Sequence, residues 1–171
     1  QGTLLGDEGG YVPKIDNVDG RLELIDKAIN SLGYKNKIFM ALDCAASEFF
    51  YSDYYKIKDK NYSPGELIDF YRDLVKKYKI ISVEDGMAED HWNGWKQMNK
   101  ELGNKIQIVG DDLLVTNVSR IEQGVEDKAC NALLLKVNQI GTVTEAIDAA
   151  KLSFKNKWNV VVSHRSGETE D

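Results

Sequence analysis

Short apolar runs recur along this chain, and each ends on a polar side chain of a kind that does chemistry. The runs are 37–42, 80–83, 106–109, 132–135 and 160–162, rich in Ile, Val and Leu. Asp43 follows the first, Glu84 and Asp85 the second, and Asp111 and Asp112 follow the third after Gly110. Lys136 follows the fourth, and Ser163, His164 and Arg165 follow the fifth. At the chain's opening, Leu4-Leu5-Gly6 runs into Asp7 and Glu8 in the same way. Continuous apolar runs of this length suit parallel strands covered on both faces.

The stretches between the runs carry helical periodicity and punctuation. Leu22, Ile25, Ile29 and Leu32 recur at helical spacing, with Gly33 as the stop. Ser63-Pro64-Gly65-Glu66 supplies a cap, a first-turn proline and a capping-box glutamate ahead of Leu67, Ile68 and Leu74. Thr142 and Glu145 repeat the cap signal, and Trp92, Trp95 and Leu102 outline a further helix ending at Gly103. Only 49–62, rich in Tyr and Lys, breaks the alternation and reads as a hairpin insertion or an ordered loop. Strand–helix alternation predicts an α/β fold with a parallel sheet. A doubly wound sheet uses strand ends chiefly at one crevice, whereas a barrel gathers them all on one face. Six successive polar endings therefore predict a partial (β/α)8 TIM-like barrel.

Composition narrows the function. The 22 basic and 28 acidic side chains leave a net charge of −6, which opposes non-specific nucleic-acid binding. At 42% hydrophobic and 29% charged the chain is globular rather than disordered. No apolar run reaches the roughly 20 residues of a membrane span. Two cysteines, Cys44 and Cys130, build no disulfide framework and favour a reducing, cytoplasmic setting. The chain opens on Gln1 and stops within a polar run at Asp171. Those ends are expected to be cuts, making residues 1–171 a fragment of a larger barrel protein.

The polar endings also fit together chemically. Asp43, Glu84 and Asp111 are hard oxygen donors suited to Mg²⁺ or Mn²⁺. Lys136, at the end of a very apolar strand, suits a base near neutral pH when partly buried beside a divalent cation. His164, Arg165 and Ser166 together suit an anionic phosphate. Asp7 or Glu8, held near other carboxylates, suits a general acid. The reaction class is metal-assisted proton abstraction next to a carboxylate. His91 reads as a surface or helix-start residue, and the cysteines as packing residues.

These residues lie in segments that resemble the enolase family. The segments are Gly6-Asp7-Glu8-Gly9-Gly10, Leu42-Asp43-Cys44-Ala45-Ala46-Ser47-Glu48-Phe49, Ser82-Val83-Glu84-Asp85-Gly86-Met87 and Gly110-Asp111-Asp112-Leu113 with Val115-Thr116-Asn117. Further along come Leu133-Leu134-Leu135-Lys136-Val137-Asn138-Gln139-Ile140-Gly141-Thr142 and Ser163-His164-Arg165-Ser166-Gly167-Glu168-Thr169-Glu170-Asp171. The resemblance implies Mg²⁺ held by Asp43, Glu84 and Asp111, and Lys136 as the base at C2 of 2-phosphoglycerate. It implies Glu8 on the acid side, helping the C3 hydroxyl leave to give phosphoenolpyruvate. Ser163, His164, Arg165 and Ser166 are implied substrate contacts, joined by Glu84, Asp111 and Lys136. A homodimer is implied for the whole protein. Lys157-Trp158-Asn159 replaces a glycine-flanked tryptophan of the family, so an altered loop is expected there. Two alternatives remain: a racemase or cycloisomerase of the same superfamily, and a non-catalytic binding role. The segment alone, short of eight strands, is expected to be inactive.

Overall fold

The computed structural model describes residues 4–6 and 9–164. Helix α1 (Val18–Ser31) comes first, capped by the Asn17 side chain, which accepts from Gly20 N–H at 2.6 Å. Strand β1 (Met40–Asp43) leads through a 3₁₀ turn (Ala46–Phe49) into a small antiparallel sheet. Its strands are β2 (Phe50–Tyr51), β3 (Tyr54–Ile57) and β4 (Lys60–Tyr62), so the insertion at 49–62 is a meander. Helix α2 (Pro64–Tyr78) and β5 (Ile80–Glu84) follow, then α3 (Trp92–Leu102) and β6 (Gln107–Gly110). The last part holds α4 (Val118–Asp127), β7 (Ala132–Leu135), the single turn α5 (Val137–Ile140), α6 (Val143–Lys155) and β8 (Asn159–Val162).

Five strands form one sheet in the order β1-β5-β6-β7-β8, every neighbouring pair parallel. Sequential parallel neighbours joined through helices are the βαβ arrangement of a barrel wall. The helices lie against one face, where Val83, Ile108 and Leu133 meet Leu67, Trp95, Met98 and Ile121, all fully buried. The other face holds only a small apolar cluster of Val109, Ala132 and Leu134, with Val161 packed on it. The strands are thus well covered on the helix side and less so on the other, where full cover on both faces was expected. At the outer strand β8, Val162 is 76% exposed.

Two expectations need correction. Leu4-Leu5-Gly6 is not a strand: Leu5 forms only an isolated antiparallel bridge with Tyr11. Among the described residues, then, five polar endings rather than six follow parallel strands. The apolar run 37–42 also starts too early, because Ile38 and Phe39 are about half exposed and β1 begins at Met40. In the loop before β8, Lys157 takes a left-handed φ of 61°, a conformation that lysine was expected to avoid. Trp158 is buried, and a Cβ added at Gly124 would meet its ring at 3.0 Å, so α4 packs closely there.

Helix α2 shows how local chemistry sets an element. Ser63 accepts from Glu66 N–H at 3.3 Å, and the Glu66 carboxylate accepts from Ser63 N–H at 2.8 Å. Pro64, with no N–H to satisfy, takes the first helical position. Leu67, Ile68, Tyr71 and Leu74 then bury one stripe of the helix. Ser63→Ala removes one arm of this box, and a loss of about 1 kcal/mol in unfolding free energy is expected. Urea denaturation reads it directly, and an unchanged midpoint would contradict the assignment.

Candidate active site

Strand register decides which side chains share a face. Asp43 pairs with Glu84 across β1 and β5, and Glu84 pairs with Val109 across β5 and β6. Val109 pairs with Ala132, and Leu134 pairs with Val161. Side chains alternate with period two, so Asp43, Glu84, Val109, Ala132, Leu134 and Val161 all lie on the face away from the helices. Continued two residues past Val109 and past Leu134, the alternation reaches Asp111 and Lys136. Their contact confirms it, with Lys136 Nζ 2.6 Å from Asp111 Oδ2. Ser163 follows β8, its N–H donating to the Leu135 carbonyl at 3.0 Å. The apolar cluster forms a floor beneath the charged groups. Below it, Gln107 donates to Ser82 at 3.2 Å and accepts from Asn159 at 3.0 Å.

Asp111 is held from several sides. It is 7% exposed, and its second oxygen accepts from Gln139 Nε2 at 2.8 Å. Its own N–H donates to Asp85 Oδ1 at 3.0 Å, and the Asp112 N–H donates to Asp85 Oδ2 at 2.9 Å. Asp85, Asp111 and Asp112 therefore bring carboxylate oxygens within 4.8 Å of one another. Both oxygens of Asp85 accept from backbone N–H groups, so Asp85 braces the turn after β6. Left-handed backbone gathers at the same strand ends: Ala45 (φ 43°), Asp85 (φ 43°), Val115 (φ 42°) and Thr116 (φ 55°). For β-branched residues this region is costly, and surrounding contacts must hold it.

The electrostatics describe a site short of positive charge. Glu84 is pushed up to about 8, first by burial and then by repulsion from Asp43, Asp111 and Asp85. Asp43 is also raised, by partial desolvation first and by Asp111, against the pull of the Ala45 N–H it accepts at 3.1 Å. Burial likewise lifts Asp85, to about 7, while its two backbone donors favour the charged form. Asp43, Glu84 and Asp111, on one sheet face, offer oxygen donors of the kind that a hard divalent cation such as Mg²⁺ takes. Cys44, beside Asp43, is pushed up to about 12 by burial and packs as a thiol.

Of the residues singled out from sequence, the structure brings together Asp43, Glu84, Asp111 and Lys136 on one face. Ser163 and His164 follow the neighbouring strand β8. Glu8, Arg165 and Ser166 lie outside the described residues. His91 takes the N-cap position of helix α3, as expected, and is partly buried: its Nδ1 lies 2.8 Å from the Tyr55 hydroxyl and its ring stacks on Phe50. It ties the insertion to the loop after β5. Sequence reasoning missed Asp85 as a brace, and also Thr116 and Gln139. The signals for the last two are their place beyond strand ends and their presence in the segments that resemble the family.

Parallel strands wrapped on one side by helices, with reactive side chains at their carboxyl ends, define part of a TIM-type α/β barrel. The family model described as "Enolase, C-terminal TIM barrel domain" matches residues 1–171, and the chain belongs to the enolase family. The enolase of Thermococcus kodakarensis is 54% identical over 98% of this chain and 40% of its own length. That of Methanocaldococcus jannaschii is 52% identical, covering 98% of this chain and 39% of its own. The Thermococcus gammatolerans enolase is 54% identical over 98% and 40%. The chain spans about 40% of the length of these curated relatives.

The Glu84 shift has a signed consequence for stability. Its carboxyl binds a proton more tightly folded than unfolded, so the resulting stabilisation is full below its ordinary 4.5 and is lost as pH rises through about 8. In metal-free protein the urea midpoint is expected to fall across that window, and Glu84→Gln to flatten the fall. A midpoint that rises with pH on account of Glu84 would contradict the account.

Proposed function

We propose that the protein carrying this chain catalyses the reversible, Mg²⁺-dependent dehydration of 2-phosphoglycerate to phosphoenolpyruvate. The observation that carries this reading is the meeting of Lys136 with Asp111, on the same sheet face as Asp43 and Glu84, in a chain of the enolase family. Asp43, Glu84 and Asp111 would hold Mg²⁺. Bound there, the ion would supply positive charge to offset the three carboxylates and to polarise a substrate carboxylate.

Lys136 Nζ is the base that takes the C2 proton. Its side chain is only 18% exposed, so few waters compete for it. The apolar floor of Val109, Ala132, Leu134 and Val161 keeps solvent from approaching beneath. Removing a proton next to a carboxylate places negative charge on the substrate, and cationic groups that face the developing charge lower the barrier. Glu8 is assigned the acid side, delivering a proton to the departing C3 hydroxyl. Ser163 and His164 are assigned to substrate, with Arg165 and Ser166 at its phosphate, a guanidinium fork being well matched to phosphate oxygens. These assignments rest on family resemblance and on position after β8.

The absence of a disulfide framework with only Cys44 and Cys130 supports a cytoplasmic protein, and the family resemblance favours a homodimer. No helix among the described residues is long and apolar enough to cross a membrane. The five-stranded sheet leaves β1 and β8 as its outer strands, so residues 1–171 alone are expected to give no useful turnover.

In the whole protein, Lys136→Ala is expected to abolish both phosphoenolpyruvate formation, followed by absorbance, and exchange of the C2 proton of 2-phosphoglycerate with solvent deuterium. Persistent exchange would remove Lys136 as the base. Absence of turnover by the unmutated protein with Mg²⁺ would refute the substrate and favour another carboxylate of the superfamily.

A further inference from the structure

A closed ring of hydrogen bonds joins the proposed base to a proposed metal ligand through two residues that have no assigned role. The Lys136 N–H donates to Thr116 Oγ1 at 2.9 Å. Thr116 Oγ1 lies 2.9 Å from Gln139 Oε1 and 3.3 Å from the Leu134 carbonyl. Its single proton goes to one of these, and the shorter contact is Gln139. Gln139 Nε2 then donates to Asp111 Oδ1 at 2.8 Å, and Lys136 Nζ closes the ring on Asp111 Oδ2 at 2.6 Å. The amide can face only one way, because a flipped Gln139 would turn its carbonyl oxygen against a carboxylate. Gln139 N–H also donates to the Lys136 carbonyl at 3.0 Å, so α5 is itself seated on the base's own residue.

The backbone shows what this ring demands. Thr116 is fully buried and left-handed, and Val115 before it is left-handed as well. Two consecutive β-branched residues in that region cost conformational energy, and the position requires a side chain bearing a hydroxyl at a fixed point. A relaxed turn would aim the hydroxyl elsewhere. The strain therefore places one oxygen between the backbone of Lys136 and the amide of Gln139.

We propose that Thr116 and Gln139 are positioning residues: Gln139 sets the rotation of the Asp111 carboxylate, and Thr116 sets both Gln139 and the root of Lys136. Asp111 then presents one oxygen to Lys136 while the other is kept by the amide, and the carboxylate plane stays fixed relative to Glu84 and Asp43. This deepens the proposed function and rests on it, because a metal ligand and a base are coupled through the ring. Partners that orient a ligating carboxylate commonly change metal affinity by about 10- to 100-fold when removed. Misplacing a reacting group by about 1 Å costs rate to a similar degree.

The test compares Thr116→Val, Thr116→Ser and Gln139→Leu in the whole protein, with Mg²⁺ binding measured by calorimetry in the absence of substrate. Gln139→Leu and Thr116→Val are expected to weaken Mg²⁺ binding about tenfold or more. At saturating Mg²⁺ both should lower kcat about tenfold or more, with KM for 2-phosphoglycerate within about threefold. Thr116→Ser keeps the hydroxyl and is expected to stay within about threefold of the unmutated protein in both measurements. Unchanged Mg²⁺ affinity in Gln139→Leu overturns the inference whatever its activity, as does a Thr116→Ser protein as impaired as Thr116→Val. Gln139 is only partly buried, so Gln139→Leu decides the matter even where Thr116→Val fails to fold. An unmutated protein that binds Mg²⁺ but does not turn over 2-phosphoglycerate would refute the proposed function, and the calorimetric arm would still judge the ring.

Discussion

The contact between Lys136 Nζ and Asp111 Oδ2 joins two turns that belong to different βα units. It exists only because β6 and β7 are parallel and paired Val109 to Ala132, which brings both strand ends to one level. An antiparallel pairing would send the two side chains to opposite ends of the sheet. The same register carries the contact outward, with Glu84 beside Val109 and Asp43 beside Glu84. A charged layer over an apolar floor follows, and the floor lets charges interact with less screening than at an open surface.

The helix side of the sheet provides the rigidity that this layer needs. Val83, Ile108 and Leu133 are fully buried against helix side chains, so the strands cannot slide without opening the core. On that base the loops carry left-handed residues at Ala45, Asp85, Val115 and Thr116. Asp85 holds two consecutive backbone N–H groups beyond β6, and Arg120 links the loops after β5 and β6 by bonding both the Leu113 and Glu89 carbonyls. Gly110, just before Asp111, has no room for a side chain, because an added Cβ would meet Leu114 Cγ at 2.8 Å. Local backbone cost is thus borne where the reactive groups must be aimed.

Much of this could be read from residue order. The Ser63 and Thr142 caps, the break in the alternation at 49–62 and the strand endings at Asp43, Glu84, Asp111 and Lys136 all rest on local chemistry or period-two spacing. The run 37–42 misled because hydrophobicity alone does not say which apolar residues find partners, and Ile38 and Phe39 find few. Leu4-Leu5-Gly6 misled because an apolar pair ahead of acidic residues resembles a strand end without the length to pair. His91 precedes α3 as expected, but its contacts with Tyr55 and Phe50 were not legible, because these residues come from an insertion some forty residues away. Thr116 and Gln139 fall in segments that resemble the family, but nothing in the local sequence assigns them a role, since that role lies in hydrogen bonds across three turns. The contacts at Glu8, Arg165 and Ser166 lie outside the described residues.

The central claim is that parallel register builds one divalent-cation site from Asp43, Glu84 and Asp111, with Lys136 alongside. Crystals of the whole protein grown with Mn²⁺, whose anomalous scattering marks its position without ambiguity, test it most directly. The account predicts an anomalous peak shared by the carboxylates of Asp43, Glu84 and Asp111. A peak instead between Asp85 and Asp112, or none at the strand ends at saturating Mn²⁺, would contradict it.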